Sequence, residues 1–480
     1  MLVSLSVRRI FFERAPVALG KVLTWRTAAA IVALVIVIRS VLPLVGPAAA
    51  LTAISKQFDG TRAHDDLAYI ADPARGGRYT GSTGYQEAAA YMVDRFKALG
   101  LEPAGDDGTY YQSFKMSDVG LTAMPVLQRL DDPKTYRARI DFSESIGGRR
   151  GGGAAEGNIV MITGPSTGDV VDVARREGAV GVLFVSGSDL IKPSYIAAFE
   201  KETVPTMIVS AGVANELIAS SGKKVEDLRQ ILVDRLRRAQ TKPSLRAEPV
   251  QPISFDTTAR LRMTVPLGPV HEITGQNVVG ILRGSDPARA DKFVLVGGHL
   301  DGVGTDPDGT VYPAANDNGS GPAVTLEVAR VLAAHRAMLQ NSVIFVAFAG
   351  EEEGLVGSEY FANHSLTTPL RPANILAFVN LDVSGCCGDE LAASDENFAM
   401  HARLANAADH LGFSFGYTPN VGGSDHLSYT RRGVPASILS WTDFGPLHTT
   451  RDTLDTVTPR HLAMAGEVAT QTVLELAATN

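Results

Sequence analysis

Short runs of almost wholly apolar residues are separated along this chain by segments whose apolar positions recur at helical spacing. Phe293–Val296, Val343–Phe348, Ile375–Val379 and Ala436–Leu439 lack polar/apolar alternation and so read as strands buried on both faces. Between the first two, Val324, Val328, Val331 and Leu332 share one face of a helix predicted over Ser320–His335. From about Arg260 onward this predicts an α/β fold, a three-layer α/β/α sandwich around a mostly parallel central sheet. Upstream, Thr83-Gly84-Tyr85-Gln86 has a capping-box pattern. Ala88, Met92, Phe96 and Leu99 follow on one helical face, and Gly100 supplies a stop. Gly105–Gly108 reads as a turn.

The texture changes between about Pro125 and Pro249. A Gly-rich turn cluster spans Gly147–Gly153, and strands are predicted at Asn158–Ile162, Val180–Val185 and Val204–Val209. A short helix is predicted over Val170–Glu177. A second, amphipathic helix carries Val225, Leu228, Ile231, Leu232 and Leu236 on one face and basic residues on the other. No catalytic group of side chains gathers here. A chain of 480 residues has room for this second core.

Composition sharpens the exclusions. Hydrophobic residues at 45% and charged residues at 20% are globular values. The formal charge is −8; residues 1–50 hold six basic residues and one acidic, which leaves the remainder at −13. So acidic a body excludes nucleic acid as a partner. Residues 1–50 read as an exported protein's targeting segment, with a basic start, an apolar stretch from Thr27 to Ile38, and small residues at Ala48–Ala50. That segment is either a cleaved signal, for a periplasmic or secreted protein, or an uncleaved membrane anchor. Cys386 and Cys387 are adjacent, which argues for two unbridged small residues in a loop.

The chemistry lies where strands end, since open α/β sheets bind ligands at their carboxyl edges. Phe293–Val296 runs into Gly298-His299-Leu300-Asp301, and Val343–Phe348 into Glu351-Glu352-Glu353. Ile375–Val379 leads to Asn380-Leu381-Asp382, and His448 to Asp452 lie beyond Ala436–Leu439. Asn316-Asp317-Asn318-Gly319 opens the helix after the first strand. Taken singly, the Glu triplet is as well explained by an acidic loop in water, and Asp317 by a helix cap. Five such segments on one edge point instead to a metal site, and two histidines with several carboxylates suit a pair of zinc ions.

In this order, these motifs resemble those of the co-catalytic zinc exopeptidases of metallopeptidase clan MH. That group includes bacterial leucyl aminopeptidases, aminopeptidase Y and glutamate carboxypeptidase. The resemblance covers residues 60–122 and 255–480. Gly157-Asn158-Ile159-Val160, Glu177–Leu183 and Val204–Ile208 resemble a protease-associated (PA) domain, inserted over 125–250. The resemblance implies that His299 and Asp382 hold one zinc, Glu352 and His448 the other, and that Asp317 bridges them. It further implies Glu351 as general base, Asp301 orienting His299, Asp452 orienting His448, and Glu353 as a solvated neighbour. A one-residue slip in register would move base and ligand to Glu352 and Glu353. Gly423-Ser424-Asp425-His426 matches a family motif to which the residues themselves assign no role. Leu447 stands where some members carry a Tyr that stabilises the tetrahedral intermediate. The implied activity is hydrolysis of N-terminal peptide bonds. The rival readings are a glutamate-type carboxypeptidase, a single-zinc glutaminyl cyclase and a non-catalytic PA-bearing receptor or scaffold.

Overall fold

A computed structural model of the chain describes residues 47–163, 168–186, 199–241, 253–257, 259–365, 369–418 and 423–478. The targeting segment read from residues 1–50 lies almost wholly outside the described residues; what is described of it belongs to a helix over Pro47–Ser55. Among the described residues no helix is long and apolar enough to cross a membrane.

From Gln57 the chain forms one compact unit. Its larger sheet joins Glu102–Pro103, β1 (Tyr111–Asp118), β2 (His271–Leu282), β3 (Phe293–His299), β4 (Ser342–Phe348), β5 (Ile375–Leu381), β6 (Leu391–Ala393), β7 (Phe415–Tyr417) and β8 (Ala436–Trp441). The four apolar runs are β3, β4, β5 and β8, each lengthened by a residue or more. They stand side by side in the order β4-β3-β5-β8, all parallel. The sheet as a whole is mixed, because β2 joins β4 and β6 joins β8 antiparallel. β2 was not foreseen: its first half is polar and pairs with β1 at the margin of the sheet, and only its second half is buried.

Alternate side chains of the central strands point to opposite faces. Phe293, Leu295, Ile344 and Val346 pack with Phe361 and Tyr429 on one side. Phe345 meets Phe96 of the helix Thr83–Ala98 on the other, with ring centroids 6.4 Å apart. Helices Gly60–Ile70, Ser320–Ala334 and Pro459–Ala477 pack together, completing the three layers. Thr83–Ala98 is capped by Ser82, whose hydroxyl accepts from the Tyr85 N–H at 3.1 Å, one residue before the capping position read from the sequence. Gly100, at φ +68°, follows its end.

Two further sheets occupy the middle of the chain. One orders Ile253–Asp256, Ile159–Thr163, Gly181–Val185, Phe199–Val209 and Phe142–Glu144; the other orders Lys134–Thr135, Val126–Arg129, Leu261–Val265 and Gly153–Glu156. Leu127, Phe142, Met161, Leu183, Met207, Leu261 and Met263 share one core. Because Ile253–Asp256 and Leu261–Val265 pair with strands of this smaller body, its end lies between Val265 and His271 rather than at 250. In the helix Val225–Thr241, Val225, Leu228 and Leu232 are buried while Ile231 stays 43% exposed; the Leu236 side chain lies outside the described residues.

Candidate metal centre

β3, β4 and β5 all end at the same edge, and the chain runs from β3 to β4 on one side and then to β5 on the other. That switch opens a crevice at the carboxyl ends. β3 places His299 there, the turn after β4 places Glu351 and Glu352, and the residue after β5 is Asp382. Asp317 comes from the π-type turn Ala315–Gly319 ahead of the next helix; no side-chain cap is formed there. The Asp317–Asn318 peptide is cis. His448, at φ +55°, arrives from the loop after β8.

Asp317 lies between the two imidazoles. Its Oδ1 is 3.5 Å from His299 Nε2 and its Oδ2 is 3.0 Å from His448 Nε2. Asp382 Oδ1 lies 3.5 Å from His299 Nε2, and Glu352 Oε2 lies 2.9 Å from His448 Nε2. Glu351 Oε2 stands back, 4.0 Å from His299 Nε2. Donor atoms of His299, Asp317 and Glu352 fall within 4.8 Å of one another, as do those of His299, Glu351 and Asp382. All five segments therefore deliver their side chains to one place.

The supporting hydrogen bonds differ from the expected ones. His299 Nδ1 faces the main-chain carbonyl of Asp301 at 3.2 Å, while the Asp301 carboxylate is 3.8 Å away. Donation to that carbonyl leaves Nε2 as the ring nitrogen with a lone pair toward the site. The Asp301 carboxylate instead accepts from the Glu352 N–H at 3.1 Å. Asp452 does not orient His448; its two oxygens accept from the Asn316 and Asp317 N–H groups at 2.7 and 2.9 Å. Ser424 gives the Gly423–His426 motif a part, donating to Asp382 Oδ2 at 2.7 Å while accepting from Asn380 at 2.7 Å. Glu353 is not solvated: the turn closed by the Gly354 and Leu355 N–H groups on Glu351 O carries it inward. There it is 2% exposed and accepts from Thr80 Oγ1 at 3.0 Å. Of the triplet, then, Glu352 touches His448, Glu351 faces His299, and Glu353 belongs to the core.

Cys386 and Cys387 are also corrected, since they form a disulfide. Cys387 sits at φ +72° in the turn that brings the two sulfurs together. The same turn anchors Asn316, whose Oδ1 accepts from the Gly385 and Cys386 N–H groups at 2.8 and 3.1 Å. The sequence offered no sign of Arg78 either. It is fully buried and donates to Leu300 O (2.8 Å), Ile70 O (3.2 Å), Pro313 O (2.9 Å) and Ala314 O (2.7 Å). Two of the segments it holds lead into the site, one at His299–Asp301 and one at Asp317.

The electrostatics ask for positive charge. Burial opposes protonation of His299, but Glu351, Asp382 and Asp317 outweigh it and raise the imidazole well above its ordinary pKa. At His448 burial is likewise outweighed, by Glu352 and Asp317. Asp317 is held well below the carboxylate range despite burial, by the two imidazoles beside it. Glu351 is pushed well above its ordinary value by burial and by Glu352, against the pull of His299. His299 Nε2, Asp382 Oδ1 and Glu352 Oε1 are buried without hydrogen-bond partners. Buried orphans converging on one point, among more carboxylates than imidazoles, fit divalent metal; protons hold the histidines only while no metal competes.

Residues 277–473 match the model of peptidase family M28.

The matched segment contains every one of these side chains except Arg78 and Thr80. Over 231 residues the chain is 29% identical to aminopeptidase YwaD of Bacillus subtilis, covering 45% of this chain and 48% of that one. Over 169 residues it is 32% identical to leupeptin-inactivating enzyme 1 of Streptomyces exfoliatus, covering 35% and 36%. The chain thus spans about half or less of the length of these curated relatives. The fold is shared with an aminopeptidase from Aneurinibacillus sp. strain AM-1, at TM-score 0.66 and 19% identity over 89% of this chain and 96% of that one. It is also shared with a zinc aminopeptidase from Bacillus subtilis, at TM-score 0.60 and 20% identity over 88% and 96%.

Proposed function

We propose that this chain is a zinc-dependent aminopeptidase that holds two zinc ions and hydrolyses the N-terminal bond of peptides. One observation carries the reading: Asp317 turns one oxygen to each of two histidines, and each histidine has a further carboxylate of its own. His299 and Asp382 would hold one ion, His448 and Glu352 the other, with Asp317 shared. Such a pair supplies a water of lowered pKa and a polarised peptide carbonyl.

The remaining work falls to this chain's own groups. Glu351 is 13% exposed at its side chain and stands 4.0 Å from His299, farther than the other carboxylates of the site, which leaves it to accept the proton of the attacking water. The same oxygen returns that proton to the leaving amine nitrogen. Asp301, through the Glu352 N–H, and Ser424, through Asp382, keep two carboxylates from turning away. Free N-termini as substrates are supported by the aminopeptidase names of the relatives. Residues 1–50 would export the chain, with or without cleavage, and the smaller body over the 126–265 strands would be a PA domain.

Metal per chain, measured alongside a panel of aminoacyl, C-terminal glutamate and N-terminal glutaminyl substrates, tests this. Two zinc ions and activity on free N-termini are expected, with Glu351→Gln losing about 10²–10⁴-fold in kcat while retaining metal. One zinc with cyclising activity, or undiminished hydrolysis by Glu351→Gln, overturns the reading.

A further inference from the structure

Outside the set of metal ligands, the smaller body reaches the loop that follows β3 through a buried guanidinium. Arg139, at φ +66° in the turn between Tyr136 and Phe142, grips Asp306 with two parallel bonds: Nε to Oδ2 at 2.9 Å and Nη2 to Oδ1 at 2.6 Å. Its Nη1 is bound to Ser143 Oγ and to the Glu144 carboxylate. Asp306 accepts a further bond from Tyr312 OH at 2.5 Å. The Asp306 and Glu144 side chains are 1% and 0% exposed, and that of Arg139 is 12% exposed. A bidentate pair removed from water holds its geometry far more tightly than an exposed one.

What Arg139 grips is the loop that leaves the site and returns to it. That loop starts directly after Asp301 and ends just before Ala314, three residues ahead of Asp317. Both ends are fixed by the Arg78 guanidinium at Leu300, Pro313 and Ala314. Its sides are joined by the Tyr312 N–H to Gly304 O at 3.0 Å, and Thr305 Oγ1 reaches Gly76 O at 3.0 Å. Its tip is tied to the smaller body by Arg139. Val303, Thr305 and Pro307 of this loop form one wall of a groove of about 430 Å³. Tyr79 and the residues around it form the second wall, and Gly120 and Leu121, where the chain enters the smaller body, the third.

We infer that Arg139 is a positioning residue for the peptidase reaction: by latching Asp306 it sets the width of this groove, and so the acceptance of peptide residues beyond the scissile bond. The inference rests on the proposed peptidase function. A substrate with one aminoacyl group and a small leaving group would not need the groove; a longer peptide would.

The test uses the full chain with Arg139→Gln, Arg139→Lys, Asp306→Asn and the Arg139→Gln/Asp306→Asn pair. Arg139→Lys keeps the charge but loses the two-pronged bond. Arg137→Gln, in the same turn but 68% exposed, is the control. Expected is a KM for a six-residue peptide raised about tenfold in each single variant and no further in the double, the non-additivity of a directly coupled pair. For an aminoacyl p-nitroanilide, kcat and KM should stay within about twofold, with metal content unchanged. Amide hydrogen exchange over 302–312 should quicken in Arg139→Gln and not in Arg137→Gln. Equal KM changes for both substrates, additive effects, or unchanged exchange in the loop would each overturn the latch. The exchange measurement needs no activity, so an inactive wild-type chain would sink the peptidase reading while the latch is still judged.

Discussion

Arg78→Met removes a buried cation whose hydrogen-bond partners are all main-chain carbonyls. The guanidinium donates four bonds, to Leu300, Ile70, Pro313 and Ala314. Burial pushes its pKa down to about 10 from an ordinary 12.5, although Asp452, Asp301 and Asp317 pull the other way. Holding the charge there therefore costs on the order of 3 kcal/mol. Four bonds from a charged donor, at the lower end of about 1.5 kcal/mol each, contribute roughly 6 kcal/mol. Methionine recovers the first sum and loses the second, so the variant should be less stable by about 3 kcal/mol, within the 5–15 kcal/mol of an ordinary domain. It should fold. The carbonyls it releases flank His299 and Asp317, so metal affinity should fall as well. Urea unfolding of chelator-treated protein measures the first effect. The extra stability conferred by a fixed zinc concentration measures the second, and should be smaller in the variant. A metal-free variant within about 0.5 kcal/mol of wild type, or one with an undiminished zinc increment, would refute the reasoning; the first figure is that of a neutral surface change.

Two further outcomes can be checked. An added Cβ at Gly298 would meet Leu381 O at 2.1 Å and Asn318 Nδ2 at 3.0 Å. Gly298→Ala must therefore part β3 from β5, moving His299 away from Asp382, and should cost about 1–3 kcal/mol together with metal retention, read by thermal melting and metal analysis. Asp141 is held below its ordinary pKa first by the Arg137 side chain, which binds it through Nε and Nη2 at 3.0 and 3.2 Å. A depressed carboxylate pKa contributes stability that is fully present above about pH 4 and is lost as pH falls through the folded value. Asp141→Asn should thus cost about 0.5–1 kcal/mol at pH 7 and progressively less in acid; a pH-independent difference would refute the pairing.

By itself the sequence determined the strands and helices that place the site. Apolar runs such as Val343–Phe348 have no alternative to burial on both faces, and their ends announce where side chains emerge. His299, Asp317, Glu351, Glu352, Asp382 and His448 were legible for that reason: each stands at an element's end, in a segment of recognisable chemistry. Tertiary structure alone decided what those residues lean on. Glu353 reads like its neighbours in sequence, yet one turn buries it on Thr80. The family resemblance assigned Asp301 and Asp452 to histidines, but their carboxylates hold main-chain N–H groups instead. The Cys386–Cys387 bridge and the buried guanidiniums of Arg78 and Arg139 follow from positive-φ turns, at Cys387, Arg78 and Arg139, that no periodicity encodes. Periodicity records which face is buried. It carries no trace of a partner 222 residues away, the separation between Arg78 and Leu300, because only the folded chain brings the two together.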